Sequence, residues 1–137
     1  MAKLRLNVAR APLRRDLTIL AVGFVLYTLN NLLLKPLTLP PLASWLVRGH
    51  LNDALCGLAF MAYTNCLFDV VRPAARVRSP WVAAAYMFGC GLFWEFVAPL
   101  VKPSTSDWAD VASYVIGALL YWLVDRARRT RDRASRP

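Results

Sequence analysis

Glu95 lies within residues 83–101, a run that is otherwise apolar. A charged side chain at the centre of a membrane helix costs about 2.5–3.5 kcal/mol on insertion scales, so such a group faces a partner or a wet cavity. Candidate partners are His50, Asn52, Asp53, Asp107 and Asp110. His50-x-x-Asp53 and Asp107-x-x-Asp110 each set two potential ligands on adjacent helical turns. With Glu95 they form a carboxylate-rich group of the kind that suits a hard divalent cation. The pattern is generic and has no HExxH-type anchor, so neither a metal nor another cofactor is assigned. A Ser-His-Asp set drawn from Ser104 or Ser106 with His50 has nothing to fix its order, and no reaction is specified. The chemistry that remains is binding of a polar or cationic group.

These residues must be positioned by membrane helices. The 137 residues are 58% hydrophobic, with a mean hydropathy of +0.40, above a soluble domain's usual apolar share. Four apolar stretches predict helices over about 17–34, 51–71, 80–98 and 108–124, each able to cross about 30 Å of hydrocarbon. The predicted fold is an all-α integral membrane protein, a four-helix bundle over 17–124. A basic segment, 1–16, precedes it and a basic tail, 125–137, follows, the tail reading as a frayed helix end leading into disorder. Residues 42–47 are too short to span and predict an interfacial helix between the first two spans, with Trp45 as its anchor. Residues 1–34 resemble a signal peptide, but the apolar stretch is too long and ends in Lys35-Pro36, so it reads as an uncleaved first helix. Ser79-Pro80 is a helix-start signal.

The net charge of +9 does not point to nucleic acid, because the basic residues crowd termini and short loops. Five lie in 1–16, three in 72–79 and six in the tail, 14 of the 17 Lys and Arg in all. Only Lys35, Arg48 and Lys102 fall on the other side. The positive-inside rule then makes both termini cytoplasmic in an inner-type membrane, with the bilayer as the main partner. Cys56, Cys66 and Cys90 have no CxxC pairing and read as small packing residues.

That topology gathers Asn30, Asn31, His50, Asn52, Asp53, Glu95, Asp107 and Asp110 at the outer end. Glu95, six residues before Val101, lies about 9 Å below the end of its helix at 1.5 Å per residue. Asp16, Asp69 and Asp125 read as boundary residues, and the inner half reads as nearly free of ionisable groups. Small-residue stripes that let membrane helices approach run through Gly23, Gly57, Gly91 and Gly117. The site residues also have structural explanations. Asp107 can cap the fourth helix, and Asp53 and Asp110 sit where a helix dipole favours an acid. His50 can be an interfacial loop residue, and Asn30 and Asn31 can end the first helix. Glu95 has no capping role. Its structural alternatives are pairing with Lys102 or His50, or protonation by desolvation.

Glu95, Asp110 fifteen residues later and Gly117 seven further on resemble the closing motif of the VanZ-like family of small multi-pass bacterial membrane proteins. Where that family often shows Gln, Arg and Asn, this chain has Ala98, Ser104 and Tyr114. The resemblance implies a membrane fold with outer-face polar residues, in a family some of whose members are linked to resistance against lipid-anchored glycopeptides. The leading expectation is therefore an outer-leaflet acidic site built from Glu95, Asp53, Asp110, His50, Asn31 and Asp107. Its ligand would be a polar or cationic group, of a lipid or cell-envelope precursor. A proton- or cation-coupled transport component, a metal-dependent lipid hydrolase and a non-catalytic assembly partner, as homo-oligomer or with another membrane protein, are the alternatives.

Overall fold

The apolar runs fold as helices in the order their hydropathy predicts. The computed structural model describes residues 10–101 and 107–134, and among them there is no strand. Helix α1 spans Arg10–Leu29, beginning before the predicted residue 17. Pro12 falls in its first turn, where a missing N–H leaves no bond unmade, so it opens the helix rather than breaking it. The helix then widens into a π turn, Asn30–Leu34.

Helix α2, Pro41–Trp45, the π turn Leu46–His50 and helix α3, Leu51–Val71, follow one another without a break. The segment expected to be a separate interfacial helix is therefore the start of one helical stretch, Pro41–Val71. A helix stop here would use Gly49 in a left-handed cap, but no glycine among the described residues takes a positive φ. Helix α4, Pro80–Leu92, starts after Ser79 in an extended conformation. It continues as a third π turn, Phe93–Val97, and a 3-10 turn, Ala98–Leu100. Helix α5 runs over Trp108–Ala134, well past residue 124. Ion pairs of Arg129 with Asp125 (3.0 Å, one turn apart) and of Arg15 with Asp132 (2.8 Å) hold its charged end helical.

Helix α3 packs against α1 and α5, and α4 packs against α5, while α3 and α4 touch only sparsely. Glycine sets the closest crossing. A Cβ on Gly57 would overlap the Tyr114 carbonyl, and one on Gly117 would overlap the Ala54 carbonyl. The two backbones meet directly, as the small-residue stripes predict. Gly91 packs against Val111 and Tyr114, and Gly23 against Leu58. Ile19, Met61, Ala62, Ala83, Met87, Ala118 and Tyr121 form the apolar core.

The distribution of polarity is the reverse of a soluble domain's. Phe24, Leu67, Trp81, Val82, Leu120 and Leu123 are exposed, whereas Asp16, Asn30, Asn65, Asp69 and Asp125 are buried. An apolar exterior of this extent marks a surface that meets something other than water. Two helical stretches, Ala11–Leu34 and Pro41–Val71, are long and apolar enough to cross a membrane.

Candidate functional site

Antiparallel packing gathers polar residues at both ends of the bundle, and the two clusters differ in kind. At the end carrying residues 72–79, Arg76 is buried. Its Nη1 donates to Asp16 and Asp69, both at 2.6 Å, and its Nη2 donates to Asp16, Asp125 and Tyr121, each at 3.1 Å. The Tyr121 hydroxyl donates to Asp16 at 2.8 Å and accepts from Asn65 at 2.8 Å. Asn65 also clasps the backbone of Val77 with both halves of its amide, at 3.1 and 2.8 Å. Burial alone would loosen the proton on Arg76, but the hydrogen bond to Asp16 and the neighbouring aspartates hold its affinity above the ordinary value.

The reading of Asp16, Asp69 and Asp125 as boundary residues alone missed their grouping around Arg76. All three are ligands of one guanidinium. Planar fork geometry lets a single Arg serve several carboxylates, which a lysine could not do. Each aspartate stands at the edge of an apolar run, Asp16 just before residue 17, Asp69 in the last turn of α3 and Asp125 just after residue 124, and that shared position was the readable signal. The cluster is buried and almost saturated, only Arg76 Nε lacking a partner, as suits a structural role.

The His50 end is different. His50 is 5% exposed, and its Nδ1 lies 2.7 Å from Asp110 Oδ1 in the first turn of α5. An ionised Asp110 places the ring proton on Nδ1, leaving Nε2 as an acceptor. Nε2 is buried without a hydrogen-bond partner, and the Trp45 ring packs edge-on against the imidazole, with centroids 4.0 Å apart. Asp53 interacts with Asp110 and with the Tyr114 hydroxyl, and feels Glu95 at longer range. Glu95, half-buried on its π turn, accepts the backbone N–H of Asp107 at 3.1 Å. Asp107 is exposed, and its Oδ1 caps α5 by accepting the Ala109 N–H at 2.8 Å. Ligand atoms of His50, Asp107 and Asp110 all fall within 4.8 Å of one another.

Asn31 sits beside this group in a separate network. Its amide donates to the Tyr27 carbonyl (2.8 Å) and its oxygen accepts from Asn52 (3.1 Å), while Asn52 accepts from Asn30 (2.8 Å). Asn30 also donates to the Val47 carbonyl at 3.0 Å, stitching the end of α1 to the turn before His50. Lys102, Ser104 and Ser106, considered above as partners of Glu95 or His50, lie outside the described residues.

One feature had no signal in the sequence. The three π turns among the described residues all lie at this end, and they carry Asn30 and Asn31, His50, and Glu95. Single π turns inside α-helices recur at functional sites, because the extra residue re-aims a side chain at the expense of regular hydrogen bonding.

The fold and site together define an all-helical protein with two membrane-capable helices, a closed ionic knot at one end and a histidine-containing acidic group at the other. No family model matches the chain, nor does any curated protein or solved structure.

Proposed function

We propose that the chain is a four-span, VanZ-like protein of an inner-type membrane with both termini cytoplasmic. In this reading its His50 end is an outward-facing site for a cationic or hydroxyl-rich group borne by a lipid or cell-envelope precursor. The observation that carries it is the convergence of His50, Asp53, Asp110 and Glu95, with the buried Nε2 of His50 unpartnered. Several carboxyl groups held together favour an added positive charge, which relieves their mutual repulsion. The apolar exterior of all four helical bodies supports four spans. Helix α4 with its two following turns covers 80–100, about 30 Å at 1.5 Å per residue.

An amphiphilic ligand is supported by the open groove of about 530 Å³ between α3 and α4, lined by Cys56, Phe60, Met87, Cys90, Trp94 and Tyr114. Cys56 and Tyr114 both neighbour Asp53, so an acyl chain in the groove would deliver its headgroup to the acids. Transport inward through one chain is less well supported. Of the candidates on that path, Asn65, Thr64 and Cys66, Asn65 is fully engaged by Val77 and Tyr121 above the Arg76 knot and the Thr64 hydroxyl lies 3.3 Å from that of Tyr86.

Titration of the detergent-solubilised protein with short-chain phosphatidylethanolamine tests the reading. Saturable binding that disappears in Asp53→Asn/Asp110→Asn, with thermal stability retained, is the expected result. Equal loss of binding and stability favours a purely structural cluster. Absence of binding in the wild-type protein favours the assembly-partner alternative. A second reading rests on the spacing of His50, Asp107 and Asp110, which suits a divalent cation. Metal retained stoichiometrically after purification and lost in His50→Ala would establish it.

A further inference from the structure

The basic residues near the termini do more than bias topology, because α1 and α5 place some of them around a cavity. A cleft of about 510 Å³ opens between the start of α1 and the far end of α5, lined by Ala11, Arg14, Arg15, Thr18, Arg128 and Asp132. The α1 contributions are spaced 11, 14, 15 and 18, a single helical face, and the α5 contributions are one turn apart. Ala11 has too little side chain to fill the gap. Arg15 is committed, donating to Asp132 at 2.8 Å and lying 3.9 Å from Asp125. Arg14 and Arg128 have no carboxylate partner among the described residues. The cleft therefore carries on its two walls two guanidinium groups without an ion-pair partner among the described residues, alongside the Arg15–Asp132 pair, a charge balance that favours an anion.

Its depth says which anion. Leu17 and Val124, the first and last large exposed apolar side chains of their helices, lie within a turn or so of Arg14 and Arg128. The guanidinium groups thus stand just beyond the edge of the apolar belt, at the level where a phospholipid carries its phosphate. A free phosphate would use the arginines and leave the adjoining apolar face unused. Basic clefts between helices at the cytoplasmic boundary are a recurring form of anionic-lipid site.

We propose that this cleft binds the phosphate of an anionic glycerophospholipid, gripped between Arg14 and Arg128. The proposal rests on the membrane reading but not on any ligand at the His50 end. The test uses the full chain in nanodiscs of phosphatidylcholine doped with phosphatidylglycerol, with lipid retention read by native mass spectrometry after release. The wild-type protein retains phosphatidylglycerol in preference to phosphatidylcholine. Arg14→Gln/Arg128→Gln weakens that retention by about 25-fold, roughly fivefold per arginine removed. Arg72→Gln/Arg131→Gln removes the same charge from exposed sites outside the cleft and changes retention less than threefold.

Equal losses in the two double variants would overturn the proposal, since diffuse charge would then suffice. Equal retention of the two lipids by the wild type would do the same without any variant. Displacement of the lipid by millimolar inorganic phosphate would identify a soluble anion as the ligand instead. Failure of the wild type to float with liposomes would refute the membrane reading itself, a result recorded before any headgroup is compared.

Discussion

Replacing Arg76 by Gln removes the charge that three buried carboxylates share. Asp16, Asp69 and Asp125 have side chains only 0%, 3% and 2% exposed, so none can recover hydration without opening the bundle. The loss is unequal among them. Asp125 keeps Arg129 at 3.0 Å and Arg15 at 3.9 Å, and Asp16 keeps the Tyr121 hydroxyl at 2.8 Å. Asp69 is left with no ion-pair partner among the described residues. Stranding one charge of a buried pair costs about 3–5 kcal/mol, against about 5–15 kcal/mol for the whole stability of an ordinary domain. Reversible unfolding in mixed micelles titrated with dodecyl sulfate, followed by tryptophan emission, should show a loss in that range. Adding Asp69→Asn to Arg76→Gln should restore about 1–3 kcal/mol, the usual coupling between directly interacting groups. A loss below about 1 kcal/mol, or no rescue by the second change, would show that water reaches the knot and that its burial is not what holds α1, α3 and α5 together.

Gly117→Ala drives a methyl group into the Ala54 carbonyl; a loss of about 1–3 kcal/mol or more in the same unfolding assay is expected for such overpacking. Gly89→Ala meets nothing within 4 Å and should be neutral or stabilise by up to about 1 kcal/mol; if both substitutions behave alike, the close crossing of α3 and α5 is wrong. Asp110→Ala removes the partner of His50 Nδ1 and should cost about 1.5–3 kcal/mol, as for a hydrogen bond to a charged group. It should also shift the imidazole ¹⁵N resonances, whereas unchanged spectra would mean that the two side chains do not meet. Asn52→Leu unlinks Asn30 from Asn31 and leaves one buried N–H of Asn30 unpaired while the other keeps Val47, with an expected cost of about 1–3 kcal/mol, measured by hydrogen exchange at the end of α1.

The helices and their glycine contacts were readable because both follow from composition along one chain. Apolar runs of spanning length specify where helices form, and Gly57 and Gly117 stand on the stripes where backbones must meet. The grouping of His50, Asp53, Glu95 and Asp110 at one end followed from counting helix ends. Contacts within that group did not. The π turns arise where packing between helices outweighs regular hydrogen bonding, and neither Asn30-Asn31 nor Leu46–His50 encodes that locally. The role of Arg76 in the knot was illegible for a physical reason as well. A basic residue in a short turn usually serves topology alone, and only the arrival of α1 and α5 beside that turn supplies Asp16 and Asp125 as partners. The charged end of α5 looked unstructured because its helicity depends on Arg15, more than a hundred positions away in sequence.

The π turns have a bearing on how this architecture tolerates change in length. Each is in effect an α-helix holding one surplus residue, so deleting a single residue within Leu46–His50 or Phe93–Val97 would let the turn close to α geometry and re-aim the side chains of that turn, while the following helix keeps its facing. The ionic knot at the opposite end would hold the helices in place meanwhile. Among the described residues, changes of one residue in length are thus absorbed at the His50 end, where they re-aim individual side chains while the scaffold beneath stays intact.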